Sequence, residues 1–195
     1  MANVHSARVI RELEAGRDAF SRAIADTKFI ESVSLAAEIV ITALQAGRKI
    51  LFAGNGGSAA DAQHLATELV VRFVANRAAL PAIALTTDSS VLTAIGNDLG
   101  FEHVFSRQVH ALGQPGDVFV AMSTSGRSPN ILAGCNAARE RRLTVIGLTG
   151  ASGAAMEPLC DVLVRVPDET VALIQQVHLA VGHILCAVAE EAAPR

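Results

Sequence analysis

The sequence predicts a doubly wound α/β fold: a five-stranded parallel sheet flanked by helices, with two N-terminal helices before it and a long C-terminal helix after it. Three observations lead there. Short β-rich runs alternate with helical patterns from Lys49 onward, and strands joined by helical crossovers imply a parallel sheet covered on both faces. The first 47 residues and the last 25 repeat apolar positions every three or four residues instead, as amphipathic helices do. The turns after the strands are rich in glycine and hydroxyl residues, which suits the ligand-binding edge of such a sheet.

The elements follow in order. Val9 to Ala25 carries Val9, Leu13, Phe20 and Ile24 on one face, and Phe29 to Ala46 carries Phe29, Val33, Val40 and Leu44, with Gly47 placed to stop the second helix. Five strands are then expected at Ile50 to Ala53, Ala82 to Leu85, Val118 to Met122, Val145 to Leu148 and Val162 to Val166. Crossovers in such sheets are right-handed, so ligands gather at the carboxyl ends of the strands. Val171 to Glu191 closes the chain as a helix bearing Gln175, His178 and His183.

At 195 residues, 51% apolar and 18% charged, the chain suits one domain with a full core. Its most apolar segment, Phe29 to Ala46, is interrupted by Glu31 and Glu38, which argues against a membrane span. No charged start followed by an apolar stretch and a cleavage site is seen, so the expected location is the cytoplasm. A net charge of -3, no Trp, no Tyr and no basic run leave nucleic acid without its usual contacts. Cys135, Cys160 and Cys186 are too scattered for a disulfide frame and are expected to be reduced thiols. High apolar content in a short chain points to subunit association. His5, His103, His110 and His178 belong to no motif and are expected to be solvent-facing or packed.

Chemistry concentrates in three places. The turn Gly54-Asn55-Gly56-Gly57-Ser58 joins a strand to a helix start, where glycines admit a ligand to the backbone and the helix dipole attracts anions. His64 and Glu68 follow, one turn apart on one helix face. Ser58 and Asp61 also form an S-x-x-D signature that reads as helix capping. Gly54, Gly56 and Ala59 satisfy a dinucleotide fingerprint, but Asp88 lies 34 residues beyond Gly54 (88 minus 54), not the about 20 that a ribose-binding acid needs.

The second place, Ser123-Thr124-Ser125-Gly126-Arg127-Ser128-Pro129, offers hydroxyls beside a helix start with Ser128 as N-cap and Pro129 at its first position. Hydroxyls and free N–H groups without a P-loop lysine suit a sugar phosphate better than a polyphosphate. The third is the pair Gln175 and His183, eight residues and about 12 Å of helical rise apart. Long side chains could converge on one ion between them; a tighter site would need helix distortion or donation across a subunit boundary.

The ordered set of Gly54 through Leu69, Asn97-Asp98, Ser123 through Gly126, and Ile174-Gln175-Gln176-Val177-His178 through His183 closely resembles the bacterial phosphoheptose isomerases of the sugar isomerase (SIS) family. The similarity covers nearly the whole chain. It implies one SIS domain over residues 1–195, with 1–47 as a helical pair used in oligomerisation, 48–195 as core and C-terminal helix, and a homotetramer. It also implies conversion of sedoheptulose 7-phosphate into D-glycero-D-manno-heptose 7-phosphate, an entry to the heptose of lipopolysaccharide or capsule.

Carried over by position, the resemblance implies one zinc per subunit on His64, Glu68, Gln175 and His183, with Glu68 as catalytic base and His183 as acid. Substrate contacts fall to Asn55, Gly56, Gly57, Ser58, Glu68, Arg72, Asn97, Asp98, Ser123, Thr124, Ser125, Ser128 and Gln175, with Asn97 and Asp98 on the loop after the second strand. The family commonly has Arg and Glu where this chain has Leu173 and Gln176. A non-catalytic SIS protein that binds a sugar phosphate or a replication-initiator-type partner is the rival reading, and it has no need of the metal set.

Overall fold

The computed structural model describes residues 4–193. Helices α1 (Val4–Ala25) and α2 (Thr27–Gln45) lead into β1 (Ile50–Gly54) and α3 (Gly57–Val70). Next come β2 (Ala82–Ala84), α4 (Ser89–Asp98), α5 (Ser106–Leu112), β3 (Val118–Met122) and α6 (Pro129–Glu140). The chain ends with β4 (Thr144–Thr149), β5 (Val162–Arg165) and α7 (Val171–Glu191). All five expected strands and three expected helices are present, with ends shifted by a few residues. The largest shift is at α1, which begins five residues earlier than its apolar stripe (9 minus 4).

The strands run parallel in the order β2-β1-β3-β4-β5. Period-two alternation divides their side chains between two cores. Ile50, Phe52, Val118, Val120, Met122, Ile146 and Leu148 face α2, α3 and α7. Leu51, Ala53, Phe119, Ala121 and Val145 face the layer of α5 and α6. The sheet is thus doubly wound, and its order reverses between β1 and β3. The crevice beyond the carboxyl ends of those two strands is where such sheets bind ligands, and it holds the two turns singled out in the sequence.

Local signals explain the boundaries. Asp26 caps α2 by accepting from Lys28 and Phe29 N–H at 2.9 and 3.3 Å, and Gly47 leaves the helix at φ 69°, a left-handed stop. Two expectations change. Ser58 is not an N-cap: α3 starts at Gly57, no side chain caps it, and Gly56 takes the cap position at φ 55°, ψ -120°, which favours glycine. The most apolar long helix is α7, not 29–46; by length and composition it could cross a membrane, but here Ile174, Val177, Val181 and Leu185 are buried in the core under β4 and against α3.

Candidate active site

Helix α3 buries Ser58, Ala62, Leu65, Ala66 and Leu69, so the adjoining stripe carries Asp61, His64 and Glu68 toward α7. Helix α7 crosses it at a point of close approach. A Cβ on Gly182 would lie 2.4 Å from the Leu65 side chain, and Cys186 Sγ reaches Leu65 O at 3.8 Å. Glycine at 182 therefore lets the helices come together one residue away from His64 and one from His183.

The result is a cluster of donors from distant parts of the chain. His64 Nε2 lies 2.8 Å from His183 Nε2 across a sequence separation of 119, and 3.4 Å from Glu68 Oε1. One ligand atom from each of the three residues falls within 4.8 Å of the others. Tetrahedral zinc with bonds of about 2.0–2.1 Å would hold its donors about 3.3 Å apart, so two imidazoles and a carboxylate at these spacings fit a divalent ion. The Phe73 ring packs against His183 with centroids 5.5 Å apart. Burial raises the pKa of Asp61, while the nearby His64 and His183 pull it the other way, so this acid borders the cluster too. Sequence reading gave Asp61 only a capping role; its position three residues before His64 was the available signal.

Gln175 lies at the mouth of the first turn. A Cβ on Gly57 would meet its amide nitrogen at 2.7 Å, so glycine at 57 gives the side chain its seat at the start of α3. Gly54 packs as tightly: a Cβ there would fall 2.4 Å from Ser58 O. Ser58 is buried, whereas Gly56 and Gly57 are exposed.

The second turn is bonded largely within itself, while Ser123 N–H donates to Leu148 O and Thr124 O accepts from Gly150 N–H, each at 3.0 Å. Gly126 N–H donates to Ser123 O at 3.0 Å, Arg127 N–H to Ser125 Oγ at 3.2 Å, and the Ser123 and Ser128 hydroxyls are 3.0 Å apart. Ser128 stands at the N-cap of α6 with Pro129 after it, as expected, but its hydroxyl pairs with Ser123 and caps no N–H; its carbonyl takes the N–H groups of Ile131 and Leu132 at 3.0 Å each, and Pro129 has none to offer. Asn130, missed in the sequence, joins the turns: its amide and that of Asn55 exchange two hydrogen bonds of 2.8 and 2.9 Å, and Asn130 is buried. An asparagine at the second position of a helix beginning Ser-Pro gave no signal of its own.

Asn97 and Asp98 occupy the last turn of α4, not a loop; both are exposed, and Asn97 Nδ2 donates to Asp98 Oδ1 at 2.7 Å. Arg72 is exposed just beyond α3. The three cysteines are free, as expected, and His178 is fully buried on α7.

Comparison with known proteins identifies the family. The SIS domain family matches residues 15–150. A phosphoheptose isomerase of Rhodospirillum rubrum is 57% identical over 161 residues, 83% of this chain and 86% of that protein. The structure of a phosphoheptose isomerase from Neisseria gonorrhoeae superposes with a TM-score of 0.89 at 43% identity, covering 96% of this chain and 100% of the other. One from Francisella tularensis gives 0.91 at 35% identity, over 97% and 100%. The chain belongs to the SIS family and, within it, to the phosphoheptose isomerases.

Proposed function

We propose that the protein interconverts sedoheptulose 7-phosphate and D-glycero-D-manno-heptose 7-phosphate through an enediol, at the crevice between the His64 cluster and the Ser123 turn. The observation that carries this reading is the convergence of His64, Glu68 and His183 beside a hydroxyl-lined turn at the sheet's switch point. A non-catalytic sugar-phosphate binder would not need that convergence.

Ser123, Thr124, Ser125 and Ser128 hold the phosphate with the N-terminus of α6, and the backbone of Asn55, Gly56 and Gly57 meets the sugar. Arg72, Asn97 and Asp98 complete the substrate contacts. Glu68 takes the C1 proton of the ketose while His183 gives a proton to the C2 oxygen, forming the enediol. The C1 hydroxyl then loses its proton, C2 gains one, and the aldose results. His64, Glu68, Gln175 and His183 would hold one zinc per subunit, whose chemistry there is polarisation of the substrate oxygens and stabilisation of enediolate charge.

Exposed Val9, Ile10 and Leu13 on α1 support a homotetramer that buries the 1–47 helical pair. Free cysteines agree with a cytoplasmic enzyme feeding lipopolysaccharide or capsule heptose synthesis. The test is incubation with sedoheptulose 7-phosphate in heavy water. Formation of the aldose with deuterium at C2 supports the reading; absence of both aldose and label overturns it.

A further inference from the structure

Beyond the cluster, α3 and α7 are joined a second time by charged side chains that no step above uses. Glu190 lies seven residues after His183, two turns along α7, and so points to the same side of the helix. Its carboxylate accepts from the N–H groups of Phe73, Val74 and Ala75 at 3.0, 2.9 and 2.7 Å. Arg77 Nε sits 3.3 Å from it, and the two side chains are only 3% and 7% exposed. The same guanidinium donates to Glu68 O, Leu69 O and Ala78 O at 2.8, 2.8 and 2.9 Å, the first two being carbonyls in the last turn of α3.

One ion pair therefore ties the last turn of α3, which carries Glu68, to the last turns of α7, and it fixes the segment whose Phe73 ring lies on His183. A buried pair seldom adds much to stability, because desolvation offsets its attraction, but it does select one register among several. The register at stake here is that of the two helices supplying the cluster.

We propose that Glu190 and Arg77 are positioning residues: they set the axial position of α3 against α7 and the seat of Phe73, and so hold His64, Glu68 and His183 at metal-binding distance. This rests on the metal reading above. Loss of a group that orients ligands typically weakens a metal site roughly 10- to 100-fold.

The test titrates cobalt(II) into the metal-free full chain, as wild type and as Glu190→Gln and Phe73→Leu, well below each protein's melting temperature. Histidine ring resonances are recorded in parallel without metal. The expected result is cobalt binding at least about tenfold weaker in Glu190→Gln, with an altered visible spectrum and shifted His64 and His183 resonances, and a smaller loss in Phe73→Leu. Unchanged affinity, spectrum and resonances with only a lower melting temperature would make the pair an ordinary helix cap and overturn the proposal. If the wild type binds no cobalt, the metal reading fails, and the His64 resonances, which do not face the Phe73 ring, decide the positioning alone: shifted in the variants supports it, unshifted overturns it. Should Glu190→Gln not fold, Phe73→Leu decides by cobalt affinity and the His64 resonances, since loss of the ring itself moves those of His183.

Discussion

The two poles of the crevice are built in opposite ways. The Ser123 turn is made mostly of neighbours: its hydroxyls and several N–H groups bond within residues 123 to 130, and its outside links are the Asn130–Asn55 amide pair and backbone bonds to Leu148 and Gly150 on the adjoining strand and its following residue. The His64 pole is made of strangers, since His64 and His183 meet across 119 positions and depend on Gly182, Leu65, Arg77 and Glu190 to bring α3 and α7 together. A site made of neighbours tolerates changes elsewhere in the fold. A site made by docking two helices inherits every error in their packing.

The largest expected effect tests the docked pole directly. Glu68→Gln keeps the shape but removes the proposed base, and turnover is expected to fall by roughly 10²–10⁴, with an unchanged circular dichroism spectrum. A loss under threefold would remove Glu68 from the chemistry. Gly182→Ala comes next. Alanine favours the helix by about 1 kcal/mol, but its methyl group would drive into fully buried Leu65, a strain of about 1–3 kcal/mol. Stability is expected to fall by about 0–2 kcal/mol while metal affinity drops about tenfold, because the helices move apart at the site; calorimetric titration with zinc checks it.

Much of this contrast follows from what a sequence can display. The phosphate turn was legible because its hydroxyls, glycine and Ser-Pro helix start are contiguous, as were the five strands with their alternating apolar residues. His64 and Glu68 were legible as a pair one turn apart. Their meeting with His183 came from the family resemblance, since periodicity says which face of α7 is buried but not which residue of α3 it meets. Gly182, Arg77 and Glu190 carried no local signal, because a glycine in an apolar helix and two isolated charges gain meaning only from a partner helix. Ser58 was misread as a cap because the glycine before it can start a helix on its own, and Asn97-Asp98 were placed in a loop although α4 extends through them.

A second comparison uses α7, which touches both poles. His178 is fully buried near the backbone of Thr149, whose neighbour Gly150 donates to Thr124 O in the phosphate turn at 3.0 Å. Neither of its ring nitrogens nor the Thr149 hydroxyl has a well-formed hydrogen bond. Burial lowers its pKa to about 4, the nearby Thr149 backbone acting in the opposite sense. A histidine with a folded pKa below its unfolded value of 6.5 takes up its proton only on unfolding, so stability is complete above pH 6.5 and is lost as pH falls toward 4. This group alone should cost about 2 kcal/mol between pH 7 and pH 5, and His178→Met should flatten that part of the profile, read by urea unfolding at both pH values. Equal slopes in the two proteins would refute it.

The smallest effect belongs to the local pole. Asn130→Ala removes one side of the paired amides but leaves half-buried Asn55 able to meet water. The KM for the sugar phosphate is expected to rise roughly fivefold, about 1 kcal/mol, with kcat nearly unchanged. A fall in kcat with KM unchanged would give Asn130 a part in the chemistry instead of in holding the two turns together.

The central claim is that His64, Glu68, Gln175 and His183 surround one divalent ion. Anomalous diffraction at the zinc edge from crystals grown with zinc tests it most directly. The account predicts a single strong peak per subunit bonded to His64, Glu68 and His183, with the Gln175 amide oxygen as fourth protein donor. A peak elsewhere, or none at this cluster with the four side chains ordered, would contradict it.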